Sequence, residues 1–427
     1  MNARLRIATM VLMGSLVCLL SPTGVFAQLY PPYIKIASSA PYGLETTNAD
    51  KVVADNTNKL HLIFIDGTQL RYTSSTDFGW SWIPSTLVTS MQATSPALAR
   101  DDAGNIGVAF VVPTSSASTG NLYYAFWTGL AWSQPVLISN MGYVRSPSMA
   151  GYGNRMHLTW SDGISIRYAS VQTTVPAALP TSETVMSGTI CSSADFRLPS
   201  IAVASPASGT QPVIRVGFYF QSPASCSSSA GVRVVERPAT VGSGFWPAQE
   251  PNASRSGSIF MYEFVNATAP EVTSLTLSAN RTSGYFFLAY CGRGNSSQTW
   301  QVPLARATLN PDSWQVIMPF GSAQSVPLIL DVVPDQSTLD WFKLGSSQGT
   351  YGRTELKQGQ WPAGMAAPPL IYSSGGIKSY YGRNPHVIDF EIENPATGEY
   401  RGINVVYSHR PSGSSIEEIR TDPFSYH

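Results

Sequence analysis

Short apolar runs separated by turn-forming residues set the pattern of this chain. Four such runs lie between residues 52 and 88, namely Val52–Asp55, Leu60–Ile65, Gln69–Ser74 and Trp82–Val88. Residues that favour turns separate them: Asn56 to Asn58, Asp66 with Gly67, and Asp77 to Gly79. No segment keeps the 3.6-residue period of an amphipathic helix. The pattern predicts four short strands joined by tight turns.

The same unit recurs along the chain. A strongly apolar second strand marks each copy, and its start advances by 46 residues between the first two copies and by 71 between the fourth and fifth. The seven second strands are Leu60–Ile65, Ile106–Val111, Met156–Ser161, Ile214–Tyr219, Tyr285–Tyr290, Thr338–Leu344 and Ile403–Tyr407. Four-stranded repeats of this length are typical of a β-propeller, in which each sheet buries its faces on its neighbours.

These repeats predict an all-β fold, a single β-propeller of four-stranded antiparallel blades over residues 28–427. Seven copies indicate seven blades, and six remain possible if the fifth and sixth copies are misassigned. The segment Tyr30–Ile36 is a spare strand that can pair into the last blade and close the ring. Two or three sandwich domains are the alternative, and the unbroken repeat argues against them.

Charge and composition exclude two classes of protein. The 427 residues contain 26 Lys and Arg against 26 Asp and Glu. A nucleic-acid binder that works through bulk positive charge is therefore not expected. Because 43% of the residues are hydrophobic, the chain can bury a core, and intrinsic disorder is not expected either.

Residues 1–27 have the pattern of a secretory signal peptide. Two arginines precede an apolar run, Ile7–Leu20, and Ala27 stands at the expected cleavage point. The run of about 14 residues is shorter than the roughly 20 that a bilayer span needs. Cys18 leaves a lipidated protein as an alternative, but Val17 stands where that processing needs a small residue. The sequence predicts an exported protein, secreted or periplasmic, without a membrane span.

Three cysteines follow the predicted signal. Cys191 and Cys226 flank one repeat in Ser-rich loops, and in an exported protein they are the pair expected to form a disulfide. Cys291 ends an apolar strand and is predicted to be a buried thiol. The spacing of the three does not fit a metal site, so neither a metal nor another cofactor is expected.

One motif is specific. Residues 75–82 read Ser-Thr-Asp-Phe-Gly-Trp-Ser-Trp, between the third and fourth predicted strands of the first unit. Asp77 can accept backbone N–H bonds across a tight turn, Gly79 can take a positive φ, and Trp82 can pack between sheets. With Ser75 at its start, the motif resembles the Asp-box, or bacterial neuraminidase repeat, of the sialidase superfamily. In that family it is structural and lies away from the active site, so the resemblance implies a sialidase-like propeller rather than an activity.

Three arginines each stand two residues before a proline at the start of a first strand: Arg145, Arg197 and Arg383. First strands line the channel of a propeller, so the three guanidinium groups are predicted to bind a carboxylate at the loop-rich face. The run Phe196-Arg197-Leu198-Pro199 also resembles the sialidase motif Phe/Tyr-Arg-Ile-Pro, whose arginine binds the carboxylate of sialic acid. Tyr380 and Tyr381 are further candidate ligand contacts beside Arg383. The alternative is that these arginines pair with acids such as Asp195.

No motif marks a catalytic residue. The sialidase family needs a Tyr nucleophile and an Asp acid, for which Tyr407, Asp66 and Asp162 are candidates because each is expected at the ligand face. The two aspartates also belong to Asp-Gly pairs, the common hairpin turn. In that family the Arg-Ile-Pro motif precedes the first Asp-box, whereas here Arg197 follows it.

Histidines offer a different chemistry. Some secreted propellers are polysaccharide lyases, in which His and Tyr remove a proton beside a uronate carboxylate that Arg neutralises. His386, three residues after Arg383, is the candidate for that role. His61 and His157 occupy the same strand position in two repeats, which indicates packing or pairing rather than catalysis.

A glycan is the expected partner. The favoured function is recognition of acidic sugars at the loop-rich face, by a lectin-like protein or a degenerate hydrolase. An active exo-sialidase, a uronate lyase and a scaffold without a sugar ligand are the alternatives.

Overall fold

The structure is a computed structural model. It describes residues 34–39, 43–44, 48–116, 119–187, 195–204, 212–222, 229–238, 246, 260–264, 270–280, 284–309, 313–317, 328–334, 341–348, 354–360, 370–373, 382–394, 398–410 and 416–426. The predicted signal peptide lies outside these residues. Ile34–His427 group into one compact unit. In the described part, no helix has the length and apolar character that a bilayer crossing requires.

Antiparallel sheets make up the fold, as the sequence predicted. The first sheet has the order β2-β3-β4-β5, with strands Val52–Ala54 (β2), Leu60–Asp66 (β3), Gln69–Ser75 (β4) and Thr86–Gln92 (β5). The second sheet has seven strands in sequence order: Thr94–Arg100 (β6), Ile106–Ser116 (β7), Thr119–Phe126 (β8), Val136–Tyr152 (β9), Arg155–Ser161 (β10), Ser165–Gln172 (β11) and Glu183–Ser187 (β12).

Three four-stranded sheets follow, each with its strands in sequence order. The first holds Asp195–Ala204 (β13), Val213–Ser222 (β14), Ser229–Pro238 (β15) and Phe260–Glu263 (β16). The next holds Glu271–Ala279 (β17), Phe286–Arg293 (β18), Leu304–Ala307 (β19) and Gln315–Ile317 (β20). The third holds Leu328–Pro334 (β21), Trp341–Gln348 (β22), Thr354–Gln360 (β23) and Leu370–Ser373 (β24).

The last sheet joins the two ends of the compact unit. Its strands are Gly382–Asn394 (β25), Gly398–His409 (β26), Glu417–Tyr426 (β27) and Ile34–Ser39 (β1). Strand β1 lies antiparallel to β27, with Ile34 opposite Thr421. The spare strand expected at Tyr30–Ile36 therefore pairs into the last sheet, with its described part shifted to Ile34–Ser39.

Strand β9 belongs to two units at once. Its first part pairs with β8 as far as Val144, and its second part pairs with β10 from Arg145 onward. It is the fourth strand of the β6–β9 unit and the first strand of the β9–β12 unit, which is why the two units form one seven-stranded sheet. Counted this way, the described strands make seven four-stranded units.

The first strands of successive units contact one another in a closed ring, from β2 through β6, β9, β13, β17, β21 and β25 back to β2. Short side chains link several of these strands. Ser148 Oγ accepts the backbone N–H of Ile201 at 3.3 Å, and Ser200 Oγ accepts that of Leu277 at 2.9 Å. Between β21 and β25, Asp331 Oδ2 accepts the N–H of Val387 at 2.7 Å. Each bond satisfies a buried donor that the sheets themselves leave without a partner.

The core lies between the units. In one of its clusters, Ile166 and Val185 of the β9–β12 unit pack against Ile201, Val216 and Phe218 of the β13–β16 unit. All five side chains are buried. Burial of each such side chain stabilises the fold by about 1.5–3 kcal/mol. The apolar faces predicted from the repeat thus meet across neighbouring sheets.

Candidate functional site

A β-bulge opens several first strands. The residue before the proline has a positive φ in three of them: 48° at Ser95, 48° at Ser146 and 51° at Leu198. The pairing register skips there, as between Arg197 and Ser200. Bulges re-aim neighbouring side chains and are common beside binding sites, and φ > 0 is rare for residues other than glycine.

The bulges bring Arg145 and Arg197 to one carboxylate. Nη2 of Arg145 donates to Oδ1 of Asp195 at 2.5 Å, and Nε of Arg197 donates to Oδ2 of the same residue at 2.5 Å. Nη2 of Arg197 forms an ion pair with that oxygen as well. The alternative that the sequence left open, pairing with Asp195, is therefore found for both arginines.

This cluster keeps a positive charge and access to solvent. Two guanidinium groups face one carboxylate, which leaves a formal charge of +1. The Arg197 side chain is 55% exposed, that of Arg145 29% and that of Asp195 25%. Each guanidinium carries five N–H donors, more than Asp195 can accept. The two guanidinium groups therefore carry more N–H donors than Asp195 occupies.

Tyr219 lies beside the cluster and was missed in the sequence. It is directly opposite Arg197 in the β13–β14 pair, and its hydroxyl lies 3.2 Å from Oε1 of Gln221. Burial raises the pKa of Tyr219, the Arg197 charge lowers it and the Asp195 charge raises it, with a net increase. The phenol therefore stays protonated near neutral pH. The sequence did offer one indication of this role. Tyr219 ends the predicted strand Ile214–Tyr219, and the end of a second strand faces the start of the first strand, where Arg197 lies.

Asn48 holds the two bulges together from the segment before β2. Its Nδ2 donates to the carbonyl oxygen of Ser146 at 2.9 Å and to that of Pro199 at 2.8 Å. The side chain is buried. One amide thus fixes the backbone next to both arginines. An isolated Asn in a polar stretch gives no sequence signal for this role.

The candidate acids Asp66 and Asp162 are engaged in their own hairpins. Oδ2 of Asp66 accepts Nε of Arg71 at 3.1 Å, and Oδ2 of Asp162 accepts Nε of Arg167 at 2.9 Å. Oδ1 of Asp162 also accepts the backbone N–H of Ser165 at 2.7 Å. Both carboxylates therefore stabilise the turn between the second and third strands of their units, β3–β4 for Asp66 and β10–β11 for Asp162.

Tyr407 and His386 are buried, at 2% and 1% exposure. Burial and the nearby Lys51 charge lower the pKa of His386 to about 3, so the imidazole is neutral at ordinary pH. Neither side chain reaches the surface that carries Arg145 and Arg197.

His61 and His157 pair with tyrosines in the interior, as expected from their equivalent positions. Nδ1 of His61 lies 2.9 Å from the hydroxyl of Tyr72, and Nδ1 of His157 lies 2.7 Å from that of Tyr168. Both histidines are buried. The repeated pair is a structural element of the two sheets.

Other predicted positions lie outside the described residues. They are Tyr380, Tyr381, Cys191, Cys226 and the side chain of Arg383. The backbone of Arg383 is opposite Ser408 in the β25–β26 pair. Their ligand and disulfide roles stay predictions. Cys291 is free and buried, as predicted, and its Sγ accepts the N–H of Leu328 at 3.3 Å.

The motif at residues 75–82 forms a tight turn. Oγ of Ser75 accepts the N–H of Gly79 at 2.8 Å, and Oδ1 of Asp77 accepts that of Ser81 at 2.8 Å. Gly79 has a φ of 93°, and Nε1 of Trp82 donates to its carbonyl at 3.0 Å. Because this turn takes up residues that were expected to start a strand at Trp82, the fourth strand begins at Thr86 instead.

The turn and the arginines lie at opposite ends of the sheets. Ser75 is opposite Leu60, the first residue of β3, whereas Asp66 is the last residue of that strand. Strand β10 is the equivalent of β3 in the β9–β12 unit, and its last residue, Ser161, is opposite Arg145. Among the described residues, no cluster of three or more His, Cys, Asp or Glu side chains could hold a metal ion.

The sequence matches no protein-family model and no curated protein. Solved structures are similar in fold. A polysaccharide lyase of family PL25, an ulvan lyase, aligns over 90% of this chain and 95% of that chain, with a TM-score of 0.57 and 9% identity. The ulvan lyase bound to -[GlcA(1-4)Rha3S]- gives the same values. The NanB sialidase from Streptococcus pneumoniae aligns over 92% of this chain and 70% of that chain, with a TM-score of 0.44 and 9% identity. The likeness to the lyase shows that the chain has a β-propeller fold.

Proposed function

We propose that this chain is an exported β-propeller that binds acidic glycans at the face where Arg145 and Arg197 meet. The observation that carries the proposal is the sharing of one carboxylate, that of Asp195, by two partly exposed guanidinium groups. The two arginines already bind a carboxylate of the protein itself. The carboxylate or sulfate group of a sugar has the same charge and similar acceptor oxygens, so it suits the same donors.

The energetics favour an anionic ligand. Charge-assisted hydrogen bonds to arginine contribute about 1.5–3 kcal/mol each, and the planar guanidinium can bind a carboxylate through two parallel bonds. The excess of one positive charge attracts anions from solution, and salt screens that attraction over about 8–10 Å at ordinary ionic strength. Binding should therefore weaken as the salt concentration rises.

Kinship with the sialidase superfamily is part of the proposal. It rests on the resemblance of residues 75–82 to an Asp-box and on the hydrogen bonds that Ser75 and Asp77 make in that turn. The motif supports a relationship in fold to that superfamily. It lies at the end of the sheets opposite the arginine cluster, so it takes no part in ligand binding in this proposal. A sialidase activity would use that same arginine site.

Cleavage of a uronate polysaccharide is the second candidate function. The observation that favours it is Tyr219 beside Arg197, since a lyase uses a Tyr near a carboxylate that Arg neutralises. One of the solved structures with a similar fold is named as a polysaccharide lyase, the ulvan lyase of family PL25. Two features favour binding without cleavage. Tyr219 is only 2% exposed, and its burial raises its pKa, which opposes its use as a base. The described histidines, His61, His157, His386 and His409, are all buried.

The test is a binding screen of the purified mature protein with ulvan, hyaluronan, alginate and polysialic acid. Neutral dextran serves as the reference polysaccharide. We expect binding of at least one acidic polymer, lost in Arg197→Ala and weakened by added salt. Lys35→Ala is the matched control, because it removes one partly exposed positive charge that also pairs with an acid, Glu418, far along the chain.

Product assays on the same samples separate binding from catalysis. Absorbance of a new double bond in the sugar reports a lyase, and fluorophore release from a sialoside reports a sialidase. Binding without either product supports the proposal. Failure of every acidic polymer to bind, or equal loss in Arg197→Ala and Lys35→Ala, would remove it.

A further inference from the structure

An exposed tyrosine stands next to the arginine cluster. Tyr143 is 66% exposed and precedes Arg145 by two residues in β9. Val144 between them is fully buried. Along these three residues the burial runs exposed, buried, half-buried, which places Tyr143 and Arg145 on the same side of the chain, about 7 Å apart.

The backbone beside Tyr143 is held from the preceding unit. Gly142 donates its N–H to Oδ1 of Asn121 at 3.1 Å, and its carbonyl accepts the hydroxyl of Thr114 at 3.2 Å. Gly142 has a φ of 75°, a conformation that glycine adopts without strain. The backbone next to Tyr143 is therefore anchored, so a ligand that stacks on the ring has to order the side chain and not the backbone.

A second exposed apolar residue lies in a hairpin near the cluster. Ile164 is 56% exposed at the tip of the β10–β11 hairpin. Its N–H donates to Oδ1 of Asp162 at 3.2 Å, and the carbonyl of the adjacent Gly163 accepts the N–H of Phe196 at 3.0 Å. A Cβ atom placed at Gly163 would lie 3.7 Å from Nη2 of Arg145, so the hairpin tip lies close to the arginine.

The positive cluster thus has an exposed ring beside it on the same strand. The flat face of an aromatic ring packs well on the apolar face of a sugar. A sugar stacked on Tyr143 would be the neighbour, in the same glycan chain, of the sugar whose carboxylate binds the arginines. We propose that Tyr143 is the stacking platform of a second sugar subsite, so that the ligand is an acidic oligosaccharide or polymer rather than a free acidic monosaccharide. This inference rests on the proposed function of the same face.

Calorimetry with matched short and long ligands tests the inference. The monosaccharide probes are glucuronic acid and N-acetylneuraminic acid, and the oligosaccharide probes are hexasaccharides of ulvan and hyaluronan and a trimer of sialic acid. We expect Tyr143→Ala to weaken binding of an oligosaccharide about three- to tenfold and to leave monosaccharide binding unchanged. Tyr143→Phe should retain the affinity, because the ring rather than the hydroxyl makes the contact.

Trp80→Ala is the control, since Trp80 is an exposed aromatic residue at the opposite end of the sheets. Equal oligosaccharide affinity in wild type and Tyr143→Ala, with binding lost in Arg197→Ala, overturns the subsite and leaves the proposed function standing. Absence of binding by the wild type to every probe overturns both. A drop in Trp80→Ala as large as that in Tyr143→Ala also overturns the subsite.

Discussion

The side-chain amide of Asn48 donates to the carbonyl oxygen of Pro199 at 2.8 Å, a contact between residues that are 151 positions apart. The same nitrogen reaches Ser146 in the neighbouring unit. One buried side chain therefore links the bulge of β9 to the bulge of β13. Arg145 and Arg197 belong to those bulges, so the placement of the positive cluster depends on a buried residue from the segment before the first sheet.

Replacement Asn48→Ala should weaken both the fold and the site. The carbonyls of Ser146 and Pro199 would lose their buried donor, at a cost of about 1–3 kcal/mol in the free energy of unfolding. Affinity for the bound acidic polysaccharide should fall as well, because the bulges can then shift. Chemical denaturation and calorimetry measure the two effects. Asn140→Ala is the control, because Asn140 is exposed in β9; a similar loss in both variants would contradict the role of Asn48.

Asp195→Asn should tighten the binding of acidic glycans. The substitution keeps an oxygen acceptor but removes the negative charge, so the formal charge of the cluster rises from +1 to +2. We expect a severalfold gain in affinity at low salt that disappears near 1 M salt, where screening acts over about 3 Å. Stability should change by less than about 1 kcal/mol, since these ion pairs are partly exposed. Weaker binding would mean instead that Asp195 mainly orients the guanidinium groups.

Ser200→Ala should destabilise the ring of first strands. Its Oγ accepts the backbone N–H of Leu277, and the substitution leaves that buried donor without an acceptor. The expected loss in the free energy of unfolding is about 1–3 kcal/mol. Ser90→Ala, an exposed serine in the outer strand β5, should change stability little. An equal effect of the two substitutions in denaturant titrations would argue against a structural role for the serine link.

His157→Gln should reduce the loss of stability in acid. Burial, together with the charges of Arg155 and Arg237, lowers the pKa of His157 from 6.5 to about 3. The unfolded chain therefore binds a proton below pH 6.5 that the folded protein does not. This stabilising contribution is fully present above pH 6.5 and is lost as the pH falls, by about 3 kcal/mol near pH 4.5.

The pH effect of His157 is read from the difference between wild type and His157→Gln. Asp331 acts with the opposite sign, because burial and the Asp50 charge raise the pKa of its carboxyl to about 7, so its contribution decreases as the pH rises toward 7. Thermal unfolding at a series of pH values measures the difference. Parallel curves for the two proteins between pH 6.5 and about 4.5 would contradict the prediction.

The cysteines should differ in reactivity. Burial raises the pKa of the Cys291 thiol, so alkylation of the native protein should leave it unmodified and denaturation should expose it. Cys191 and Cys226 are predicted to be joined. Mass spectrometry of a non-reduced digest measures both outcomes. Alkylation of native Cys191 and Cys226 would contradict the disulfide.

The strands could be predicted because their signal is local. The second strand expected at Ile214–Tyr219 lies within Val213–Ser222, and the one expected at Met156–Ser161 within Arg155–Ser161. Apolar β-formers between turn residues mark such strands without any knowledge of their partners. The fourth strand was predicted to start at Trp82 for a related reason, because tryptophan favours strands when only local sequence is considered. The hydrogen bonds of Ser75 and Asp77 keep it in a turn.

By itself the sequence determined the repeat of four strands, the propeller and the position of Arg145 and Arg197 at the start of first strands. Each of these follows from the order of residues within a single unit. Only the tertiary structure decided that both arginines meet Asp195, that Tyr219 lies beside Arg197 and that His386 is buried. Those relationships depend on pairing register and on packing between sheets, which for example bring Arg145 to Asp195, 50 positions further along the chain.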